Sequence, residues 1–436
     1  MLRINLPLFG IALAFYLVGI WFFPFEMNSR GIQHQLFLWT GLVAWYLFAE
    51  ALVIASRPAW IERLAGEPLD RLMQGHRKLG HAMAFAVFLH IIAPLIVMAL
   101  PVEQVSGMGK HDMSTVWKAI WIWLHPIAAL SGMVFTVWLV RVVWADVKRG
   151  LGKLGWDAWE KTHRAWAWLF LLFIPHSLRL MKETELFMPL GWLTMAVTVA
   201  GAVAAVSILK HRPGKAKRAE AEVSSVRPMG DELILSLKTP LAASVRAGQF
   251  VYISFPGEKE DPHAFTVMKA DAEKGELLFW IKAVGSWTRA LLEKKPGERV
   301  LVEGPWGSFH PDFTDAAGPQ VWVAGGLGLA PFIPWLAETA ERRRSGEAVP
   351  PVTLWWLVRD RGAEAMLPEI ERMAQEAGAA LRVFESGASH RRADPKEIFP
   401  EDTSRAEVCG SASFARAFRQ HWKALGFSGR YRSEAC

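Results

Sequence analysis

The chain of 436 residues has two cysteines, Cys409 and Cys436. That scarcity excludes an iron–sulfur cluster held by four cysteines of one chain, and it excludes a disulfide framework. No segment of 20–50 residues repeats along the chain. A large excess of one charge is also missing. The net charge of +7 calls for no nucleic-acid partner, because much of the excess lies in loops beside apolar runs, where anionic lipid headgroups are the natural counterpart. No calcium-binding or other appended regulatory module is evident, and no obligatory protein partner.

What is there is apolar. Hydrophobic residues make up 52% of the chain, with 22 Trp, and they are unevenly spread. Residues 1–210 contain apolar runs at roughly 6–25, 35–56, 79–100, 116–140, 165–180 and 187–209. Each is near the ~20 residues that span a bilayer, so the expectation is six transmembrane helices. The first run is too long for a signal peptide, lacks a small-residue cleavage site and is followed by more spans, so it reads as a retained helix. Lys and Arg concentrate after the second run (Arg57, Arg63, Arg71, Arg77, Lys78), the fourth (Arg141, Lys148, Arg149, Lys153, Lys161, Arg164) and the sixth (Lys210, Arg212, Lys215, Lys217, Arg218). The other loops hold only Arg30, Lys110, Lys118, Arg179 and Lys182. The positive-inside rule then puts the N-terminus and everything after residue 210 in the cytoplasm of a multi-pass cell-membrane protein.

Histidines are costly inside such spans, yet HRKLGHAMAFAVFLH holds three of them, His76, His81 and His90. A helix advances about 100° per residue, so His76 and His90, 14 apart, return to within ~40° of one face. His81 lies ~140° from the first and ~180° from the second, and reads as a packing or interfacial residue. The fifth run holds His163 and His176, 13 apart, in HRAWAWLFLLFIPH. An ideal helix leaves these ~140° out of phase, and Pro175 predicts a non-ideal turn that swings His176 round. The third and fifth runs point the same way across the membrane. His76 is then level with His163, and His90 with His176, the two levels ~20 Å apart. Zinc wants four ligands, none of the others being at hand, whereas haem brings four nitrogens and needs two axial ligands in an apolar slot. His125, beside Pro126, has no partner at matching depth and reads like His81.

HRKLG with a second His 14 residues on, and THRAW with a second His 13 on, resemble the ferric reductase-like membrane domain of the NADPH oxidase and ferric reductase superfamily. The resemblance implies that His76, His90, His163 and His176 ligate two stacked b-type haems.

HRPGKAKRA, residues 211–219, is a linker. Residues 220–316 alternate as strands do (ELILSL, QFVYISF), with Gly and Pro turns, and suggest a small antiparallel β-barrel. From 317 to 436 strands and helices alternate, as in an α/β nucleotide-binding domain. HAFT, His263–Ala264–Phe265–Thr266, resembles the superfamily's flavin motif His-Pro-Phe-Thr. That likeness implies the Thr266 hydroxyl near the reactive flavin nitrogen, with His263 and Phe265 shaping the FAD site and Ala264 replacing proline. GSWT (Gly285, Ser286, Trp287, Thr288) is similar to the family's diphosphate turn Gly-Asp-Trp-Thr, with Ser286 in place of an acid. EGPWG follows (Glu303, Gly304, Pro305, Gly307) and completes the family's barrel signature.

GGLGLAPF holds Gly325, Gly326, Gly328, Pro331 and Phe332 at a strand-to-helix turn. Glycines there let a backbone approach a diphosphate, and the helix N-terminus faces its charge. The stretch resembles the family's nicotinamide-nucleotide turn. Cys409-Gly410-Ser411 resembles the family's Cys-Gly-Pro, whose cysteine lines the nicotinamide pocket; a small buried apolar residue is the other reading of Cys409. Arg359 sits where the family often places a charge for the nucleotide. Arg391 and Arg392 read either as a 2′-phosphate site, favouring NADPH over NADH, or as solvated surface arginines. The end of the chain, RYRSEAC, departs from the family's terminal aromatic. Either Tyr431 covers the flavin from nearby, or the flavin face is less covered.

Together these imply a hydride from NADPH or NADH to FAD, then single electrons through two b haems to a small-molecule acceptor across the bilayer. Ferric chelates and oxygen are both used in the superfamily. Arg30, His34, Lys110, His111, Arg179 and Lys182 form an expected cationic rim that suits anionic ferric chelates or superoxide, and Met108–Met113 reads as a polar loop or a soft metal contact. A ferric-chelate reductase is the first expectation and a superoxide-generating NADPH oxidase the second. A haem protein feeding quinone or a partner reductase is the third, and a non-enzymatic membrane scaffold the fourth.

Overall fold

The computed structural model describes the chain except residues 1, 23–28, 99–114, 151, 155, 180, 182, 211–213, 215–216, 257–261, 315–317, 361–364, 390–392, 428 and 436. It divides into two units, Met1–Ala216 and Lys217–Cys436.

Among the described residues the first unit has six helices of 21 residues or more. They are α1 (Leu2–Phe22), α2 (Ser29–Ser56), α3 (Leu69–Met98), α4 (Thr115–Gly150), α5 (Trp156–Arg179) and α6 (Pro189–Leu209). Long apolar runs fold this way because a helix pairs its own backbone polar groups. Pro189 opens α6 at a position whose N–H has no intrahelical partner anyway. α2 packs on α3 and α6, while α5 packs on α4 and α6. At the centre Trp45 stacks on Phe170 with centroids 4.2 Å apart, and Phe48 meets Phe135, Trp166 and Phe170. Two polar side chains in this core are paired with threonines of α6. Trp45 Nε1 donates to Thr198 Oγ1 (2.8 Å), and Tyr46 bonds Thr194 (2.9 Å). Large apolar side chains such as Phe85, Phe88, Val137, Val140, Val199 and Val203 stand exposed along the helices. Water penalises that surface and lipid does not.

Six long helices occur near the expected positions, but only three contain a segment long and apolar enough to cross a membrane: Gly31–Ser56, Leu130–Arg149 and Pro189–Leu209. The expectation of six spans therefore goes beyond what length and composition support in the described residues. α3 and α5 start several turns earlier than their apolar runs. They carry Asp70, Arg71, Arg77 and Lys78, and Asp157, Glu160, Lys161 and Arg164, inside the helix. In α1 the apolar segment, Pro7–Phe22, is shorter. The non-ideal turn expected at Pro175 does not interrupt α5, which is one helix through it.

The second unit starts with seven strands: β1 (Arg218–Met229), β2 (Glu232–Lys238), β3 (Phe250–Ser254), β4 (His263–Thr266), β5 (Lys269–Asp271), β6 (Glu276–Lys282) and β7 (Arg299–Trp306). They form an antiparallel sheet in the order β4-β3-β7-β1-β2-β6-β5. The alternating residues Leu233, Leu235 and Leu237 of β2 enter one core with Val251, Ile253, Phe279 and Val302. A closed barrel ladder was expected, but β4 and β5 are edges. They are consecutive in the chain, and Val267 and Met268 between them donate to the carbonyls of Gln249 and Leu278. Covalent continuity, not strand pairing, joins the two edges.

Five further strands, β8 (Gln320–Gly325), β9 (Val352–Val358), β10 (Ala380–Glu385), β11 (Arg405–Gly410) and β12 (Arg430–Ala435), make a wholly parallel sheet in the order β10-β9-β8-β11-β12. Helices α7 (Phe332–Arg344), α8 (Leu367–Ala377) and α9 (Ala412–Leu425) alternate with them. The strand order reverses between β8 and β11, which makes a crevice at their carboxyl ends. The two sheets share one core, in which Trp280 of β6 and Phe309, just after β7, lie with Trp322 of β8, Phe332 and Trp335 of α7, and Trp356 of β9.

Candidate functional site

Four histidines of the helical unit meet in two pairs. The rings of His76 on α3 and His163 on α5 have centroids 6.0 Å apart, and those of His90 and His176 on the same two helices 6.5 Å. A metal bound to one nitrogen of each ring at about 2 Å lies a little over 3 Å from each centroid, so such a pair has centroids about 6 Å apart. Among the described residues no third His, Cys, Asp or Glu joins either pair. His81 is exposed and belongs to neither.

Each ring is held by its surroundings. His76 Nδ1 lies 3.1 Å from the Ala51 carbonyl, which can only accept, so the proton is on Nδ1 and Nε2 is left free. His90 Nδ1 lies 3.0 Å from Thr40 Oγ1, whose own proton goes to the Leu36 carbonyl at 2.6 Å, so Thr40 accepts from His90. Thr40 and Ala51 are both on α2 and, 11 residues apart, lie within ~20° of one face. His163 stacks on Trp159 (4.6 Å) and His176 on Phe173 (4.2 Å). The His163 Nδ1 is buried without a hydrogen-bond partner.

Two glycines make room for the second pair. A Cβ on Gly41 would lie 3.2 Å from His90 Cε1, and one on Gly132 would lie 3.0 Å from His176 Cε1. Beside these rings is a cavity of about 540 Å³ lined by Phe37, Leu42, Phe48, Val87, Phe135 and Val137 among others. It is almost wholly apolar in chemistry, as a slot for a large flat apolar group should be. The spacing of the histidines revealed the pairs but not Thr40, Gly41, Ala51, Gly132, Trp159 or Phe173. Gly41 and Gly132 left one signal, since glycine is a poor choice in an apolar helix unless something packs close.

In the second unit HAFT is the whole of edge strand β4, paired only with β3 (Thr266 opposite Phe250, His263 opposite Ile253). Alternation puts His263 and Phe265 on one face and Ala264 and Thr266 on the other. Trp287 of GSWT stacks on His263 (4.2 Å) and on Phe265 (5.6 Å), so the first two motifs meet through one indole. The Gly285 amide donates to Thr288 Oγ1 (3.0 Å), closing the turn, and Ser286 starts the short helix Ser286–Ala290. EGPWG ends β7 and is interior. Glu303 is 2% exposed and faces Arg218 at 3.9 Å, Gly304–Pro305 is a cis peptide, Gly307 packs on Phe250, and Trp306 lies under Lys217. Its position makes it a support for β3 and β4.

The nucleotide turn and the Cys-Gly-Ser stretch meet at the switch point. Gly325 ends β8, Gly326–Leu329 is a single 3₁₀ turn, and Pro331 and Phe332 begin α7. A Cβ on Gly328 would strike the Cys409 carbonyl, and the Phe414 ring covers both Gly325 and Gly410. Arg359 follows β9 and is exposed on the same edge. Cys409 is fully buried and disulfide-bonded; the only other cysteine, Cys436, lies outside the described residues.

Tyr431 is engaged with α9. Its hydroxyl donates to the Ala415 carbonyl at 3.0 Å and its ring meets Trp422 behind α9, because β12 adds as the last parallel strand. Arg432 beside it donates to buried Glu407 (2.7 Å) and to the carbonyls of Ser308 and His310. Burial pushes the Glu407 carboxyl up to about 7, against the pull of Arg432 and Arg405. Burial also opposes the charge of Asp312, but Thr314 and Arg405 outweigh it and bring that carboxyl down to about 2.

Of the expected rim, His34 pairs with Glu185 at 2.7 Å. Lys110, His111, Met108–Met113, Lys182, Arg391 and Arg392, and the side chains of Arg30, Arg179, Lys118 and His125, lie outside the described residues.

Residues 40–174 match the family model described as ferric reductase like transmembrane component, and residues 224–310 that of the oxidoreductase FAD-binding domain. Respiratory burst oxidase homolog protein D of Solanum tuberosum is 21% identical over 311 residues, covering 61% of this chain and 35% of its own. Dual oxidase 2 of Rattus norvegicus is 22% identical over 317 residues, 69% of this chain and 20% of that one. The electron transfer subunit of dihydroorotate dehydrogenase B (NAD(+)) of Geobacillus thermodenitrificans is 33% identical over 113 residues, 25% of this chain and 44% of that one. The chain spans less than half the length of each of these relatives. Two stretches of the chain are thus similar to a ferric reductase-like transmembrane component and to an oxidoreductase FAD-binding domain.

Proposed function

We propose that the protein carries electrons from NAD(P)H, through FAD and two b haems, to a ferric chelate on the far side of a membrane. The facing histidine pairs, 6.0 and 6.5 Å between centroids, carry this reading. The residues fit the group. Two imidazoles per site suit a macrocycle that supplies four nitrogens itself, and the hydrogen bonds at His76 and His90 leave Nε2 free. His76 and His163 would hold one haem, His90 and His176 the other. When bound, the flavin supplies the change from a two-electron donor to one-electron transfers, and the haems supply the path across the bilayer.

The chain's own residues do the positioning. β4 would present Thr266 to the flavin, with His263, Phe265 and Trp287 as the stacked wall behind it, and Gly285–Thr288 would take the diphosphate. Gly325, Gly326 and Gly328 would admit the nicotinamide nucleotide at the switch point, flanked by Cys409 and Gly410, with Arg359 at the rim. With His76 and His163 holding one haem and His90 and His176 the other, both histidines of each pair would be engaged and an acceptor would be met outside the ring. The distribution of Lys and Arg supports a cytoplasmic N-terminus and reductase half, with lipid as the surrounding partner.

Oxygen as acceptor is the second reading, and the two oxidases among the relatives favour it. Glu185, hydrogen-bonded to His34, also lowers the positive charge expected of the rim. The test is an anaerobic NADPH titration of the purified full chain, followed by visible spectroscopy, then admission of ferric citrate or oxygen. Two reducible b haems per chain and faster reoxidation by ferric citrate are expected. Faster reoxidation by oxygen transfers the assignment to the oxidase, and flavin that NADPH does not bleach ends both readings.

A further inference from the structure

The two histidines of α3 are anchored to α2 by different kinds of acceptor. His76 donates to a backbone carbonyl, that of Ala51, which every residue type at position 51 would provide. His90, beside a main-chain contact at Phe37, also has a side-chain acceptor, the Thr40 hydroxyl. Thr40 has one proton, and the Leu36 carbonyl takes it at 2.6 Å, so the lone pair facing His90 is fixed by the helix itself. Gly41, the next residue, leaves the imidazole room to lie against α2 at that acceptor. Thr40 and Gly41 together form a seat for one ring.

A hydrogen bond from Nδ1–H raises electron density on Nε2 and makes the imidazole a stronger donor to iron, which favours the ferric state. On the di-haem reading above, we infer that Thr40 is a positioning residue that sets the reduction potential of the His90–His176 haem alone. The same bond fixes the tautomer that leaves Nε2 toward the metal. The His76–His163 site has no such handle, because its α2 anchor is main chain. A single side chain can therefore retune one centre while the other keeps its potential, which is what a stepwise path needs if its two steps are to be adjusted separately.

The test uses the full chain in detergent or nanodiscs, with Thr40→Val, Thr40→Ala and Thr40→Ser. Potentiometric titration resolves the two haems, and the low-spin ferric signals are read by electron paramagnetic resonance. The haem that His90→Ala removes should move to a more positive potential in Thr40→Val, with a changed ferric signal. The other haem should stay where it is, and Thr40→Ser should restore the wild-type values. If Thr40→Val does not retain its haem, the smaller Thr40→Ala gives the same comparison with Thr40→Ser. Unchanged potentials in Val and Ala overturn the inference, as does an equal shift of both haems or a Ser variant that behaves like Ala. A wild-type chain without two b haems instead overturns the haem reading on which this rests.

Discussion

The two histidine pairs bring together the same side chains on the same two helices, yet they are supported differently. His76 and His163 meet with a main-chain acceptor on one side, and on the other an imidazole stacked on Trp159 whose Nδ1 has no hydrogen bond. His90 and His176 meet between two glycines, with a side-chain acceptor and an apolar cavity at hand. On α2 the first site leans on a main-chain acceptor, which a substitution at position 51 leaves in place. The second depends on three small or polar residues, Thr40, Gly41 and Gly132, each of which one mutation can remove. Equal ligands therefore do not mean equal vulnerability.

Removing a ligand is the coarsest way to break this symmetry, and it should have the largest effect. His76→Ala and His90→Ala are each expected to halve the haem-to-flavin ratio by pyridine haemochrome assay, with different haems lost in the two variants. Loss of both haems in either variant would show that the sites are coupled in assembly. Gly132→Val separates the sites without touching a ligand. Even its Cβ would lie 3.0 Å from His176 Cε1, and the branches would come closer. It should deplete the His90–His176 haem and spare the other. Gly41→Val should do the same more mildly, because its neighbour lies at 3.2 Å.

The pairs were legible in the sequence because helix periodicity converts spacing into depth, and depth is what brings His76 to His163 and His90 to His176. Their supports were not. Thr40, Gly41, Ala51 and Gly132 lie on α2 and α4, and which residue of a neighbouring helix faces a ring depends on packing that one sequence does not encode locally. At Pro175 α5 stays one helix, with the Ser177 hydroxyl turned onto the Ile174 carbonyl and the His176 ring facing His90. In the second unit HAFT, GSWT and GGLGLAPF were visible because each is a local turn or strand with its chemistry in consecutive residues. The place of Tyr431 was not, since it follows from β12 joining the far edge of a parallel sheet.

Stacking offers a finer comparison. Trp159 lies against His163 and Phe173 against His176, and such aromatic contacts contribute about 1 kcal/mol. Trp159→Leu should speed haem loss from the first site roughly fivefold, that energy expressed as a rate ratio. Phe173→Leu should have a smaller effect, because Gly132 still lets His176 lie close against α4. Transfer of haem to apomyoglobin, followed separately for each spectral component, measures both. Equal losses would mean that His163 has a further restraint beyond Trp159.

The smallest expected effect is the most demanding of the phase arithmetic. His81 shares α3 with both ligands and is chemically able to replace either. It lies ~140° around the helix from His76 and ~180° from His90, and it is exposed where they are half-buried. His81→Ala should leave haem content, both potentials and the ferric signals at wild-type values. The result has force because the alternative is specific. If the helix were rotated by a third of a turn or more in the membrane, His81 would enter a pair and its removal would bleach one haem. Retention of both haems in His81→Ala, together with selective loss in His76→Ala and His90→Ala, would leave rotation of α3 no room to explain the pairs.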